Sequence, residues 1–356
     1  MSDIEVIATA DAASLAPFDA LIDVRSPAEF AEDHAPGAMN LPVLDDAERA
    51  VVGTIYVQES RFRARRIGAA LVARNIARHL ETALADMPGS FRPLVYCWRG
   101  GQRSNAMATV LSQVGWRAAV LAGGYRTYRR LVKARLYDEP ADLRLVLIDG
   151  HTGSAKTEIL ARVAERGVQT LDLEGLAQHR GSLLGALPGR PQPSQKMFES
   201  QLLSALERLD PSRPVLVEAE ASKIGERMVP PAIWKLMTAA PRVTLRVPAE
   251  ARASYLAAGY ADIARDLDVL EALLARLPGR HGRKTVAAWR ALAEAGELET
   301  LAGALIEAHY DPAYGRVGAA DARPSLGVLE LAGLTDADQD QAADRIAAMV
   351  EGMGGG

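Results

Sequence analysis

Short apolar runs bounded by turn residues alternate along this chain with longer stretches of helical periodicity. Residues 20–25, 91–96, 143–149, 214–220, 241–248 and 326–331 read as strands, most of them apolar enough to be buried on both faces. Between them, Ser26-Pro27 supplies an N-cap and a first-turn proline for a helix. Further helices are predicted from Ser104 or Asn105 through Leu111, from Glu59 past Leu80, from Glu158 onward, and from Asp336 to Met349. Strands alternating with helices predict an α/β fold with mainly parallel sheets covered on both faces. The polar, proline-marked Tyr137-Asp138-Glu139-Pro140 reads as a linker. It divides an expected first domain, 1–138, from a second, 142–352, and the glycine-rich end 353–356 is expected to be disordered.

Composition narrows the classes. A chain of 356 residues with 49% apolar content is long enough for two cored domains. One cysteine excludes a disulfide framework and suits a reducing compartment. The first residues, Met1-Ser2-Asp3-Ile4-Glu5, lack a basic and then apolar leader, and no apolar run has the length of a membrane helix, so a cytoplasmic protein without membrane contact is expected. The net charge of −4 means that nucleic-acid binding would rest on local patches.

The single cysteine changes this picture most. Cys97 follows the strand 91–96 and opens Cys97-Trp98-Arg99-Gly100-Gly101-Gln102-Arg103-Ser104, a Gly-Gly turn leading into a helix. Backbone N–H groups and the positive helix end in such a turn favour a thiolate and hold an anion above it. Arg99 and Arg103 are expected to add fork-shaped positive charge for an oxyanion. A lone cysteine is more often an inert core thiol, but this density of glycine and arginine points to a nucleophile.

A second anion loop lies at Gly150-His151-Thr152-Gly153-Ser154-Ala155-Lys156-Thr157, between a predicted strand and helix. It matches the phosphate-binding pattern G-x-x-x-x-G-K-[ST] except that Ala155 replaces a glycine. Gly150, Gly153 and Ser154 would present backbone donors, Lys156 would neutralise a di- or triphosphate, and Thr157 could hold Mg²⁺. The methyl of Ala155 is expected to crowd the loop and disfavour nucleotide turnover. Glu218 and Glu220 close the strand 214–220 as metal or acid–base candidates, sharing one side by period two.

Candidate phosphate or RNA contacts are Arg61 and Arg65, one helical turn apart, and Arg280, Arg283 and Lys284 in the basic run 276–284. His179 and Arg180 join them from Gln178-His179-Arg180-Gly181-Ser182. That segment, Gln192-Pro193-Ser194-Gln195 and His309-Tyr310-Asp311-Pro312-Ala313-Tyr314 read as loops with unusual polar content.

Asp23-Val24-Arg25, Glu29-Phe30, Pro36-Gly37-Ala38, Asn40-Leu41-Pro42, the Cys97 loop and Leu121-Ala122-Gly123-Gly124-Tyr125 occur in an order that resembles the rhodanese domain, a sulfur-transfer fold, over residues 5–130. Common rhodanese loops place the arginine five positions after the cysteine; here the interval is six, the Cys-x5-Arg spacing that protein phosphatases use to ring phosphate. The wider ring suits a tetrahedral phosphorus-containing donor. Tyr96, where such phosphatases usually have histidine, weakens the phosphatase alternative.

With a P-loop domain downstream and the three polar segments added, nearly the whole chain resembles the bacterial tRNA 2-selenouridine synthase family. The resemblance implies exchange of sulfur for selenium at the wobble 2-thiouridine of tRNA. S-geranylation from geranyl diphosphate would come first, and selenium from selenophosphate would follow. It implies tRNA as partner and an enzyme that makes selenophosphate as a further one. Two other readings stay open: a sulfurtransferase fused to a kinase-like ATPase, and a non-catalytic RNA-binding module.

Overall fold

The computed structural model describes residues 4–139, 142–182, 185–187, 189–259, 274, 277, 281–312 and 323–353. They form two compact units, Met1–Glu139 with Ser194–Glu207, and Pro140–Pro193 with Arg208–Gly356.

The first unit is built on β1 (Glu5–Ile7), β2 (Ala20–Asp23), β3 (Met39–Asn40), β4 (Pro93–Tyr96) and β5 (Ala119–Leu121), in the order β1-β5-β4-β2-β3. Every pairing is parallel. All four residues of β4 are buried, as expected for a central strand flanked on both sides. Ile22, Val24 and Val95 pack with Met107, Leu111, Phe91 and Trp116 into one core.

Two helix boundaries differ from expectation. Helices Asp46–Gln58 and Arg61–Glu81 break at Glu59-Ser60, where the Ser60 hydroxyl accepts from the Arg63 amide. The helix after the cysteine runs over Gln102–Val114, three residues earlier than Asn105. Its N-cap is Gly101, and Ser104 turns inward instead of capping.

The first unit also takes the helix Gln195–Leu206, which the linear reading assigned to 142–352. Its buried polar groups account for this. Glu199 pairs with Arg129 and accepts from the Tyr137 hydroxyl at 2.6 Å, and the Ser200 hydroxyl donates to Asp33 at 2.7 Å. A buried carboxylate without such partners would be costly. Gln195 therefore opens a helix rather than closing a loop, with Ser194 as its N-cap.

In the second unit β6 (Leu145–Gly150), β7 (Gln169–Leu171), β8 (Val215–Glu218), β11 (Arg242–Arg246) and β12 (Ser325–Glu330) form a parallel sheet ordered β12-β11-β6-β8-β7. A hairpin of β9 (Lys223–Ile224) and β10 (Arg227–Met228) follows β8. Val146, Ile148, Leu216, Val243, Leu245 and Leu329 share a core with helices Lys156–Glu165 and Asp336–Gly352. The segment around His309 is helical, with Ile306–Tyr310 as a widened turn. Ala313, Tyr314, Arg280 and residues 354–356 of the expected tail lie outside the described residues. Among the described residues no helix is long and apolar enough to cross a membrane.

Candidate active site

At the end of β4 the Cys97 side chain is 3% exposed. Its sulfur lies 3.3 Å from the Ser104 hydroxyl and accepts from the Gly101 amide at 3.3 Å. Burial pushes the thiol pKa up, but hydrogen bonds from the Ser104 hydroxyl and from the amides of Ser104, Arg99 and Gly101 outweigh it. The net shift is downward. The thiolate is thus held by neutral donors of the loop, a role for Ser104 that cap reasoning overlooked.

The arginines behave differently from expectation. Arg103 forms an ion pair with Glu29 at 2.9 Å, and Glu29 also closes the capping box on Ser26. Arg99 contributes its backbone amide, while its side chain is exposed. Among the described residues the most deeply buried guanidinium belongs to Arg25, gripped by both oxygens of Asp23 and donating to the Asp33 carbonyl at 2.7 Å. Arg25 lies 4.1 Å from the centre of the Tyr125 ring, whose hydroxyl donates to Asp33 at 2.6 Å. This network lies behind the loop and fixes Tyr125 against Trp98. Gly100, at φ +65°, is required by close approach: a Cβ there would stand 2.8 Å from both the Gly123 nitrogen and the Leu121 oxygen.

The second unit carries the phosphate loop at the end of β6. Ala155 adopts the left-handed conformation that glycine favours, φ 56° and ψ 33°, and Lys156 opens the helix two residues before Glu158. The cost of that conformation is roughly 1–2 kcal/mol. The alanine belongs to the buried apolar cluster under the loop and also lines the cavity above it. Lys156 donates to the Gly150 carbonyl at 2.9 Å, and the Ser154 hydroxyl donates to the His151 carbonyl at 2.7 Å. Gly153, at φ +85°, admits Leu256, whose Cγ would stand 2.8 Å from an added Cβ.

Two glutamates meet Thr157. Its hydroxyl lies 2.7 Å from Glu218 Oε1 and 3.1 Å from Glu174 Oε2. One hydroxyl has one proton, so a second hydrogen bond requires a carboxyl that is itself protonated. Burial foremost, then the charges of Glu218 and Glu220, raises Glu174; burial, then the charge of Asp172, raises Glu218. Glu218 and Glu220 do not share a strand face as expected, because β8 stops at Glu218. Both nevertheless approach Glu174, and Gly181 lies against Glu174 and Glu220. Glu174 carried no local motif; the following strand and short helix bring it to the loop.

Among the described residues no group of three or more His, Cys, Asp or Glu could hold a metal ion. Thr157 with one or two carboxylates is a set that suits Mg²⁺ completed by water and substrate phosphate.

A cavity of about 530 Å³ opens over the loop. His179 and Arg180 line it beside Lys156 and Glu220, and Leu187, Tyr255, Leu256 and Tyr310 make it apolar elsewhere. Burial lowers the His179 pKa, so this histidine is neutral near pH 7. Asp311 of the 309–314 segment holds Arg252 through both oxygens, at 2.9 and 2.7 Å, and lies 3.0 Å from His151 Nδ1. Arg252 in turn donates to the Thr152 carbonyl at 3.3 Å. The remaining candidates are exposed: Arg61 and Arg65 on the helix Arg61–Glu81, and Arg283 and Lys284 on the helix Gly282–Glu294.

Comparison with known proteins agrees with both halves. A rhodanese-like domain matches residues 8–131, and the tRNA 2-selenouridine synthase AAA domain matches residues 143–272. The tRNA 2-selenouridine synthase of Nitrosomonas europaea is 37% identical over 214 residues, 59% of this chain and 55% of that one. The enzyme of that name from Aeromonas salmonicida is 37% identical over 243 residues, 67% of this chain and 64% of that one. These matches thus span less than two thirds of those relatives. The one from Cupriavidus necator is 34% identical over 328 residues, covering 83% of this chain and 87% of its own length. The chain belongs to the tRNA 2-selenouridine synthase family.

Proposed function

We propose that this protein replaces the sulfur of wobble 2-thiouridine in tRNA by selenium, in the cytoplasm. S-geranylation at the phosphate loop comes first, and selenium delivery at the cysteine loop follows. The observation that carries the reading is the pair of anion cradles, one around a thiol whose charged form is favoured and one with a lysine under a partly apolar cavity. A thiocarbonyl sulfur is a poor leaving group. Its attack on C1 of geranyl diphosphate forms the C–S bond, breaks the C–O bond and releases diphosphate. Lys156 and the backbone donors of Gly150, Gly153 and Ser154 would stabilise that diphosphate, with Thr157 and Glu218 positioned for its Mg²⁺. Leu187, Tyr255, Leu256 and Tyr310 supply apolar wall for the geranyl chain.

In the second step the Cys97 thiolate would attack the phosphorus of selenophosphate. The P–Se bond breaks with its electron pair on selenium, which attacks C2 of the alkylated base and expels geranylthiolate. Hydrolysis of the phosphocysteine restores the thiol, with no net oxidation.

Nucleoside mass spectrometry on two variants tests the division. Cys97→Ser should abolish selenium incorporation yet accumulate S-geranyl-2-thiouridine tRNA. Lys156→Ala should slow geranyl transfer about a hundredfold, the worth of one preorganised contact to the leaving group. Given pre-geranylated tRNA, it should still insert selenium. Loss of geranylation in Cys97→Ser would overturn the scheme. Brisk ATP hydrolysis without tRNA would favour the kinase-like alternative.

A further inference from the structure

We propose that the junction of helices Asp46–Gln58 and Arg61–Glu81 is a docking surface for the unpaired bases of a tRNA anticodon loop. Phe62 would be the stacking platform, and Arg61, Arg65 and Arg66 the phosphate contacts. The proposal rests on the reading that tRNA is the substrate and adds where its loop is held. Large side chains with most of their area in water normally occur singly on a protein surface. Here four of the nine exposed large hydrophobics among the described residues fall within residues 51–62: Val51, Tyr56, Val57 and Phe62. Phe62 is 76% exposed and Val57 83% exposed.

Charge is segregated at the same place. The protein is net negative, yet the helix Arg61–Glu81 carries Arg61, Arg63, Arg65, Arg66, Arg74 and Arg78 against the single acid Glu81. Glu59 takes Arg63 in an ion pair, whereas Arg65 and Arg66 are exposed. Arg65 and Arg66 follow Phe62 at i+3 and i+4, so the three share one face of the helix. Arg61 sits over the Tyr56 ring at 5.6 Å, showing that this aromatic face accepts a planar cation.

An exposed ring flanked by guanidinium groups meets the two needs of a single-stranded nucleic acid, a stacking partner for the base and cations for the backbone. A wobble base that must be reached at C2 is an unpaired loop base, which is the form such a surface holds. The apolar residues alone would suit any partner; the excess positive charge selects a polyanion.

The test measures binding of the full chain to a tRNA anticodon stem-loop and to a loopless duplex of the same stem, across a salt series. Phe62→Ala should weaken stem-loop binding about tenfold, the loss of one stacked base, and leave duplex binding and the salt slope unchanged. Phe62→Trp should keep wild-type affinity. Arg65→Gln with Arg66→Gln should flatten the salt slope by about 1.4. All three positions are exposed, so circular dichroism should match wild type.

Wild-type affinity in Phe62→Ala, or equal losses on stem-loop and duplex, would overturn the assignment while leaving tRNA as substrate. Phe62-dependent binding to anionic phosphatidylserine vesicles with unchanged stem-loop affinity would overturn it in favour of a membrane surface. A wild-type chain with no affinity for tRNA would overturn the substrate reading itself.

Discussion

The two anion loops have the same local design and opposite electrostatics. Each follows a fully paired parallel strand, β4 between β5 and β2, and β6 between β11 and β8, and each opens into a helix. In the first, the group whose charged form is favoured is the protein's own: the Cys97 sulfur sits among neutral donors, and the predicted cation Arg103 is paired with Glu29. In the second, Lys156 faces Glu174 and Glu218, which share Thr157 and whose pKa values burial raises. A strand–turn–helix motif therefore fixes where an anion can sit but not whose anion it is. The side chains arriving from elsewhere decide that.

The largest effect that would sharpen this contrast is on thiol reactivity. Because the loop lowers the Cys97 pKa, its thiolate persists to lower pH than that of an ordinary thiol. Ser104→Ala removes the strongest of the donors. Its alkylation–pH profile with iodoacetamide should move to higher pH, with the rate at pH 7 falling about tenfold, as for a hydrogen bond to a charged group. An unmoved profile would mean that the amides alone hold the thiolate.

Next in size is the proton held among the glutamates. A carboxyl whose pKa is raised on folding binds its proton more tightly when folded. Its contribution is therefore intact below the ordinary value of 4.5 and is lost as pH rises towards the raised folded values. In metal-free buffer the second unit should melt at a lower temperature at pH 8 than at pH 6. Glu174→Gln, a permanent neutral mimic, should raise the pH 8 value by a few degrees, about 1 kcal/mol, and flatten the dependence. A melting temperature that rises between pH 6 and pH 8 would contradict the shared-proton description.

The smallest effect concerns Ala155. Glycine would relieve the left-handed backbone by roughly 1–2 kcal/mol, but it would remove a buried methyl worth about 1 kcal/mol and loosen the unfolded chain. Ala155→Gly should thus change stability by about 1 kcal/mol or less in denaturant titration. A large destabilisation would mean that the methyl, not the backbone, sets this loop.

Local pattern was enough for the strand–loop–helix units, because a strand buried on both faces needs an uninterrupted apolar run, and residues 93–96 and 145–148 supply one. The P-loop spacing and the cysteine in its Gly-Gly turn are likewise contiguous, so both cradles were visible as sequence. What contiguous sequence could not encode is which distant group reaches each cradle. Glu174 joins Thr157 through a crossover of β7 onto β8, Asp311 clamps Arg252 from 59 residues away, and Glu29 takes Arg103 across 74. The helix Gln195–Leu206 shows the same limit: only its first residue, Gln195, fell in a segment read as a loop, but its place in the first unit rests on Arg129, Tyr137 and Asp33, the partners of Glu199 and Ser200. The sequence by itself determined the two anion-binding frames, since backbone geometry follows from local residues. Their charge balance was decided only in the tertiary structure, because the energies of buried charges depend on neighbours that the chain order does not name.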